Sequence, residues 1–95
     1  MSKLRRAAQG RDCLVRGPGC NGDPESVVLA HLRFAGMAGV GQKPPDICGC
    51  WACSQCHDFL DGRREEPGFN LAMRRQYALD ALLRTLKTLD EEGLV

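Results

Sequence analysis

The sequence predicts a small α+β domain in which a cysteine-rich metal site joins a β-hairpin to two helices. Three observations predict this fold class. Cys53 and Cys56, three positions apart, are followed at once by a histidine that begins a helical pattern. The β-branched, apolar segment 26–32 is typical of a strand. Leucines at 3-4 spacing within 70–92 predict a long amphipathic helix.

The length of 95 residues allows a single domain, predicted over 1–95, whose apolar core alone gives only marginal stability. Six cysteines behind a polar, basic start favour a bound metal over the disulfides of a secreted chain. No run approaches the roughly 20 apolar residues that a membrane span needs. We therefore expect a protein of a reducing cytoplasm with no membrane partner.

The charge distribution is more informative than the net charge of +1. Residues 1–20 hold five Lys and Arg side chains against one acid, Asp12. A phosphate backbone favours such a basic face, because each Lys or Arg contact displaces counterions. An ordinary solvated terminus explains the same residues equally well.

The N-terminal part predicts a short helix followed by a turn that brings two thiols together. Ser2 can cap a helix over 2–9, which Gly10 would end. Within the predicted knuckle, 11–22, a short apolar strand begins at Cys13, and a Gly-Pro-Gly turn returns Cys20 toward it.

The middle of the chain predicts a hairpin with a long loop over 26–52. The first strand, 26–32, ends in a histidine, and a glycine-rich loop leads to a returning strand, 47–52, anchored by Trp51. A loop of that length is expected to serve function or binding. The metal-binding helix is predicted over 54–66 and is stopped by Pro67.

The C-terminal helix is predicted over 70–92, with Asn70 as its N-cap and Gly93 at its end. Its leucine stripe is expected to pack against the domain: Leu79, Leu82, Leu83, Leu86 and Leu89. Four basic residues of this helix can contact nucleic acid, although a solvated face is the commoner explanation: Arg74, Arg75, Arg84 and Lys87.

Four cysteines form a complete set for a closed tetrahedral zinc site: Cys13, Cys20, Cys53 and Cys56. Zinc would tie the knuckle to the start of the metal helix and supply folding free energy. A second set, Cys48 and Cys50 with Cys53 and Cys56, would crowd four ligands into nine residues and is disfavoured. A site of three thiolates and His57 is a further alternative.

The two histidines of the sequence are candidates for a general base and a metal ligand in a hydrolytic reaction. A neutral His31 at the end of a strand can take a proton from an attacking water. His57 and Asp61, at i and i+4, leave the same face of a helix and can bind one divalent cation such as Mg²⁺. The plainer explanation of His31 is a half-buried strand residue.

Several motifs together resemble the HNH (His-Me finger) nucleases, and more closely the YbcO-like family of phage and prophage HNH nucleases. They are an Arg-x-Cys near the start, Leu29-Ala30-His31-Leu32-Arg33, Lys43-Pro44-Pro45-Asp46 and Cys53-Ser-x-Cys-His-Asp. The similarity covers about 4–64. It implies a zinc-stapled ββα-metal domain with a short N-terminal helix and a long C-terminal packing helix.

The resemblance also implies roles for particular residues. His31 matches the general base and Asp46 would orient it, while His57 and Asp61 match helix-borne ligands of Mg²⁺ or another divalent cation. Family members often place a metal-binding Asp or His before the base. Ala30 occupies that position instead, so Asp58, Asp46, water or the phosphate would complete the metal site.

The resemblance implies a DNA endonuclease of phage recombination or DNA processing in a bacterial cytoplasm, leaving 5′-phosphate and 3′-hydroxyl ends. We expect a monomer or weak dimer, with phage or host recombination proteins as partners. The candidate DNA contacts are Arg5, Arg6, Arg11, Arg33 and Lys43. One alternative is a non-catalytic, zinc-stabilised module that binds nucleic acid. Another is an adaptor whose leucine stripe binds a protein.

Overall fold

The computed structural model describes residues 2–36, 38–39 and 41–95. The helices are α1, Lys3–Ala8, α2, Ser54–Asp61, and α3, Leu71–Glu91; the strands are β1, Val28–His31, and β2, Gly49–Ala52. Short 3-10 turns precede each strand, at Pro24–Ser26 and Asp46–Cys48. The predicted α+β class is confirmed. None of the helices in the described part of the chain is long and apolar enough to cross a membrane.

The two strands form an antiparallel hairpin in which Leu29 faces Trp51 and His31 faces Gly49. A Cβ atom on Gly49 would lie 2.8 Å from Cγ of Leu29, so the pairing requires glycine at this position. Both strands are shorter than predicted because a 3-10 turn replaces the first residues of each. The register leaves His31 as the last strand residue before the long loop.

The outer edge of β2 is covered by two other segments rather than by a third strand. The backbone N–H of Trp51 donates to Oγ1 of Thr85 on α3 at 3.1 Å. The carbonyl of Trp51 accepts from the N–H of Leu14 at 2.9 Å. The short strand predicted from Cys13 is therefore not formed as a strand, and Leu14 makes one backbone hydrogen bond to β2. Both polar groups of this buried edge position are satisfied, as buried backbone requires.

Helix α3 packs against the core through small side chains and through part of its leucine stripe. Its buried residues are Ala78, Ala81, Thr85 and Leu89. Leu89 is 2% exposed and Leu82 packs against the core, as the stripe predicts. Leu79 and Leu83 are 44% and 57% exposed, so the predicted packing is wrong for these two residues. Small residues permit the close approach that lets Thr85 reach the strand backbone. Asn70 caps the helix as predicted, accepting from the N–H of Met73.

Helix α2 ends earlier than predicted. Gly62 adopts a left-handed conformation with φ of 73°, and its N–H bonds back to Phe59 and Asp58. Glycine is favoured there because it carries no Cβ penalty at positive φ. Phe59 is fully buried and makes edge-on contacts with Phe69 and Tyr77, each with ring centres 5.6 Å apart. This aromatic cluster fixes α2 against α3.

Helix α1 begins as predicted, with Ser2 accepting from the N–H of Arg5. It ends at Ala8, whose side chain is fully buried in the core. Arg11, just beyond it, makes a paired interaction with Glu92 at 2.5 and 2.6 Å, and its guanidinium lies 4.7 Å from the ring centre of Trp51. The two ends of the described chain are thus joined over β2.

Candidate active site and metal centre

The structure brings the four cysteines Cys13, Cys20, Cys53 and Cys56 together, with all their sulfur atoms within 4.8 Å of one another. The sulfurs of Cys20 and Cys53 lie 3.7 Å apart. In a tetrahedral zinc–thiolate site with bonds of about 2.3 Å, sulfurs are separated by about 3.8 Å. The spacing of this cluster fits a metal such as zinc.

The first turn of α2 brings two of these thiols close together. Cys53 is the N-cap of α2, and its sulfur lies 3.5 Å from the N–H of Cys56. A hydrogen bond from the Cys56 thiol lowers the pKa of Cys13, and the same contact raises the pKa of Cys56. The thiolate is the metal-binding form of cysteine, so Cys13 is ready to bind a metal, whereas Cys56 has to release its proton when a metal binds.

Cys48 and Cys50 lie outside this cluster. Cys50 is fully buried on β2, and burial raises its pKa to about 12. It therefore behaves as a small apolar core residue. Cys48 closes the 3-10 turn before β2. The alternative set that included these two cysteines is not assembled.

His31 is held by a network that begins at the N-terminus. Its Nε2 atom lies 2.7 Å from Oδ1 of Asp46, and the other oxygen of Asp46 accepts from the hydroxyl of Ser2 at 2.5 Å. Nε of Arg5 lies 3.6 Å from the same carboxylate. The Ser2 and His31 hydrogen bonds lower the pKa of Asp46. An ionised carboxylate facing Nε2 favours a proton on that nitrogen.

His57 and Asp61 meet on one face of α2, as their spacing predicts. Nε2 of His57 lies 3.2 Å from Oδ2 of Asp61, and both side chains are about one-third exposed. Burial raises the pKa of Asp61, but His57 and Arg63 outweigh it, so the net pKa is lowered. Adjacent donors in an octahedral Mg²⁺ site lie about 3.0 Å apart, given bonds of about 2.1 Å. The pair therefore fits two neighbouring positions on such an ion.

A cleft of about 450 Å³ brings His31 and Asp61 to a common surface. Its walls come from the end of β1, the end of α2 and the start of α3. The charged groups that line it are one carboxylate and four arginines: Asp61, Arg33, Arg63, Arg74 and Arg75. The cleft thus combines a histidine, a carboxylate and a surplus of positive charge.

Sequence reasoning missed part of this cleft. Arg63 lies against Asp61 at 2.7 Å, and it was not singled out. For Arg74 and Arg75 the sequence left nucleic-acid contact and a solvated face both open, and both residues line the cleft. Phe34 lies beneath Arg75, whose guanidinium is 5.5 Å from the ring centre. The two adjacent arginines in the first two turns of α3 were the sequence feature that could have indicated a positively charged cleft.

The other candidate residues have varied surroundings. Asp58 Oδ1 lies 3.4 Å from Nε of Arg63, and Arg33 donates to the carbonyl of Gln42 at 2.6 Å. Arg6 and Lys43 are exposed. Ala30 is 1% exposed and belongs to the core, so the position before His31 offers no ligand.

The structure defines a small α+β protein whose four clustered cysteines could bind a metal such as zinc. Comparison with known families specifies its class further. A family model described as "Putative nuclease YbcO" matches residues 2–94, and the chain belongs to this family. "Putative nuclease YbcO" of Escherichia coli (strain K12) is 46% identical over 96 residues, covering 100% of this chain and 98% of that protein.

Two further matches agree with this assignment. "Putative nuclease ybcO" of Enterobacteria phage 82 shows the same identity and coverage. A solved structure, "Structure of a putative bacteriophage protein from Escherichia coli str. K-12 substr. MG1655", is 40% identical with a TM-score of 0.77. That match covers 96% of this chain and 100% of the other. The fold is therefore shared by a solved relative over nearly its whole length.

Proposed function

We propose that the protein is a metal-dependent DNA endonuclease of the HNH type, acting in phage recombination or DNA processing within the bacterial cytoplasm. The observation that carries this proposal is that His31, oriented by Asp46, and Asp61, paired with His57, line one cleft. Membership of a family named for nuclease activity supports it.

In this proposal His31 is the general base. Hydrogen bonding of Nε2–H to Asp46 leaves the lone pair of Nδ1 to accept a proton from the attacking water. The carboxylate of Asp46 then stabilises the imidazolium that results. Ser2 holds the second oxygen of Asp46, so the hydrogen-bond network fixes the ring as well as its tautomer.

His57 and Asp61 would hold the divalent cation, with Asp58 or water completing its coordination where Ala30 provides nothing. A bound divalent cation supplies charge stabilisation at the scissile phosphate and the leaving oxygen. Arg33 beside His31 is placed to contact the phosphate. Arg5, Arg6, Arg11 and Lys43 remain candidate contacts for the flanking backbone, although Arg11 already bonds Glu92. The products are a 5′-phosphate and a 3′-hydroxyl.

The proposed zinc site has a separate, structural role. Its four thiolates leave no open position for substrate. It would hold the start of α2, and with it His57, in fixed relation to the N-terminal knuckle.

The second candidate function is a non-catalytic nucleic-acid-binding module. The burial of Ala30 favours it, because this chain lacks a metal donor before the proposed base. Both candidates predict DNA binding, so only cleavage separates them.

The test is nicking of supercoiled plasmid with Mg²⁺ or Mn²⁺, measured beside DNA binding. We expect the wild type to nick, and His31→Ala to bind DNA equally well while cutting at least 10²-fold more slowly. If both proteins bind and neither cuts the plasmid or a single strand of DNA, the non-catalytic module is the correct function.

A further inference from the structure

A second hollow adjoins the proposed catalytic cleft. It also measures about 450 Å³ and is lined by Phe34, Leu71, Ala72, Arg75, Gln76 and Leu79. Phe34, Leu71 and Arg75 line both spaces, so the hollows share a wall. None of the roles assigned above uses the second hollow.

The lining of the second hollow is largely apolar, although it lies at the surface. Leu71 is 60% exposed and Leu79 is 44% exposed. The half-buried ring of Phe34 contributes an aromatic face between the two spaces. Solvent exposure of these side chains is unfavourable, which favours a ligand with a flat apolar face.

The shared wall also carries positive charge. Arg75 lies over Phe34, and no carboxylate is among the residues that line the second hollow. In the cleft, Arg63 faces Asp61, whereas Arg33 and Arg74 bond backbone carbonyls. Arg33, Arg74 and Arg75 therefore keep their charge unneutralised by a carboxylate. A ligand that is anionic on one side and planar on the other complements this pair of spaces.

We infer that the second hollow binds a nucleobase turned out of its stack, while the adjoining phosphate lies against Arg75 and Arg33 in the cleft. This inference rests on the proposed function and specifies its substrate as unpaired DNA. An intact duplex keeps its bases stacked and paired, so it would leave the apolar hollow empty. Aromatic stacking beside a cationic groove is the usual means of holding single strands.

The test compares binding of a labelled 20-nucleotide strand with binding of the same strand in a duplex, by fluorescence anisotropy without added divalent cation. We expect the single strand to bind at least tenfold more tightly. Phe34→Ala should weaken single-strand binding about tenfold, because stacking on an aromatic side chain contributes about 1–3 kcal/mol per base. Its binding of duplex should not change.

Leu83→Ala is the matched control. Leu83 is an exposed leucine of α3, 57% accessible, that lines neither hollow. Arg75→Gln provides a second variant, expected to weaken binding and to reduce its dependence on salt. Zinc content and thermal unfolding of each variant establish that it is folded.

Equal affinity for single strand and duplex would overturn the inference, as would equal effects of Phe34→Ala and Leu83→Ala. Failure of the base-binding inference can be told apart from failure of the proposed nuclease function. If His31-dependent nicking occurs without single-strand preference, the proposed function holds and the base-binding hollow does not. A Phe34-dependent preference with no cut in either the plasmid or the labelled single strand when Mg²⁺ or Mn²⁺ is added supports the hollow in a non-catalytic binding protein.

Discussion

Nε2 of His31 and Oδ1 of Asp46 lie 2.7 Å apart although they are fifteen residues distant in the chain. The contact ties the end of β1 to the turn that begins β2, and so closes the long loop at its base. It also determines which ring nitrogen carries a proton, because the carboxylate favours Nε2–H. In the proposed mechanism this leaves Nδ1 as the base.

The first prediction concerns this contact. Asp46→Asn should lower the rate of plasmid nicking by about 10²-fold, because an amide can favour the wrong tautomer of His31 and cannot stabilise the imidazolium. Affinity for DNA should not fall. Asp90→Asn, at an exposed position of α3, is the control for losing one negative charge. An unchanged rate for Asp46→Asn would remove Asp46 from the mechanism.

The second prediction concerns pH. Hydrogen bonds from Ser2 and His31 lower the folded-state pKa of Asp46 below its ordinary 3.8. The network therefore stabilises the fold above about that pH, and its contribution is lost as the pH falls through the folded-state pKa. Ser2→Ala should be less stable than the wild type at neutral pH, and the difference should shrink on acidification.

Loss of the helix cap by Ser2→Ala contributes a pH-independent cost of about 1 kcal/mol. Thermal unfolding from pH 3 to 7 separates this cost from the pH-dependent part. A difference in stability that stays constant across the range would show that the Ser2–Asp46 hydrogen bond contributes nothing.

The third prediction concerns the edge of β2. Thr85→Val preserves side-chain shape but leaves the buried N–H of Trp51 without an acceptor, which should cost about 1–3 kcal/mol of stability. Thr88→Val is the control, because the Thr88 hydroxyl bonds only to the carbonyl of Arg84 one turn earlier in α3. Chemical denaturation of both variants measures the difference; equal costs would contradict the account.

The fourth prediction concerns the cysteine cluster. Cys53→Ser should lose bound zinc and unfold at much lower temperature, because the metal supplies folding free energy that so small a core lacks. Cys48→Ser, outside the cluster, should keep one zinc per chain. Metal released from purified protein, quantified by a colorimetric chelator, provides the measurement. Zinc retained by Cys53→Ser would exclude this ligand set.

The sequence was sufficient to predict the elements that local chemistry determines. The four clustered thiols, the Ser2 and Asn70 caps and the order of strands and helices all follow from residue types and spacing. Asp61 lies against His57 because i and i+4 positions meet on any helix.

The sequence was insufficient where packing between distant segments decides the result. A 3-4 leucine pattern marks an apolar face and includes the buried Leu89, yet Ala78, Ala81 and Thr85 fill the rest of the buried face. Leu79 and Leu83 are left exposed. Arg74 and Arg75 became cleft residues because α3 crosses beside the end of β1. Neither outcome is encoded in local periodicity. The catalytic roles of His31 and His57 stay predictions.

The most direct test of the shared cleft uses the fact that the chain contains only two histidines. The Hε1 protons of the two rings give one signal each in a proton NMR spectrum of the zinc-loaded protein, and Mn²⁺ broadens nuclei close to its site. The account predicts that substoichiometric Mn²⁺ broadens the His57 signal first and the His31 signal with it, and that Asp61→Asn weakens both effects. Broadening of neither signal, or of His31 while His57 stays sharp, would contradict a cation held by α2 in front of His31.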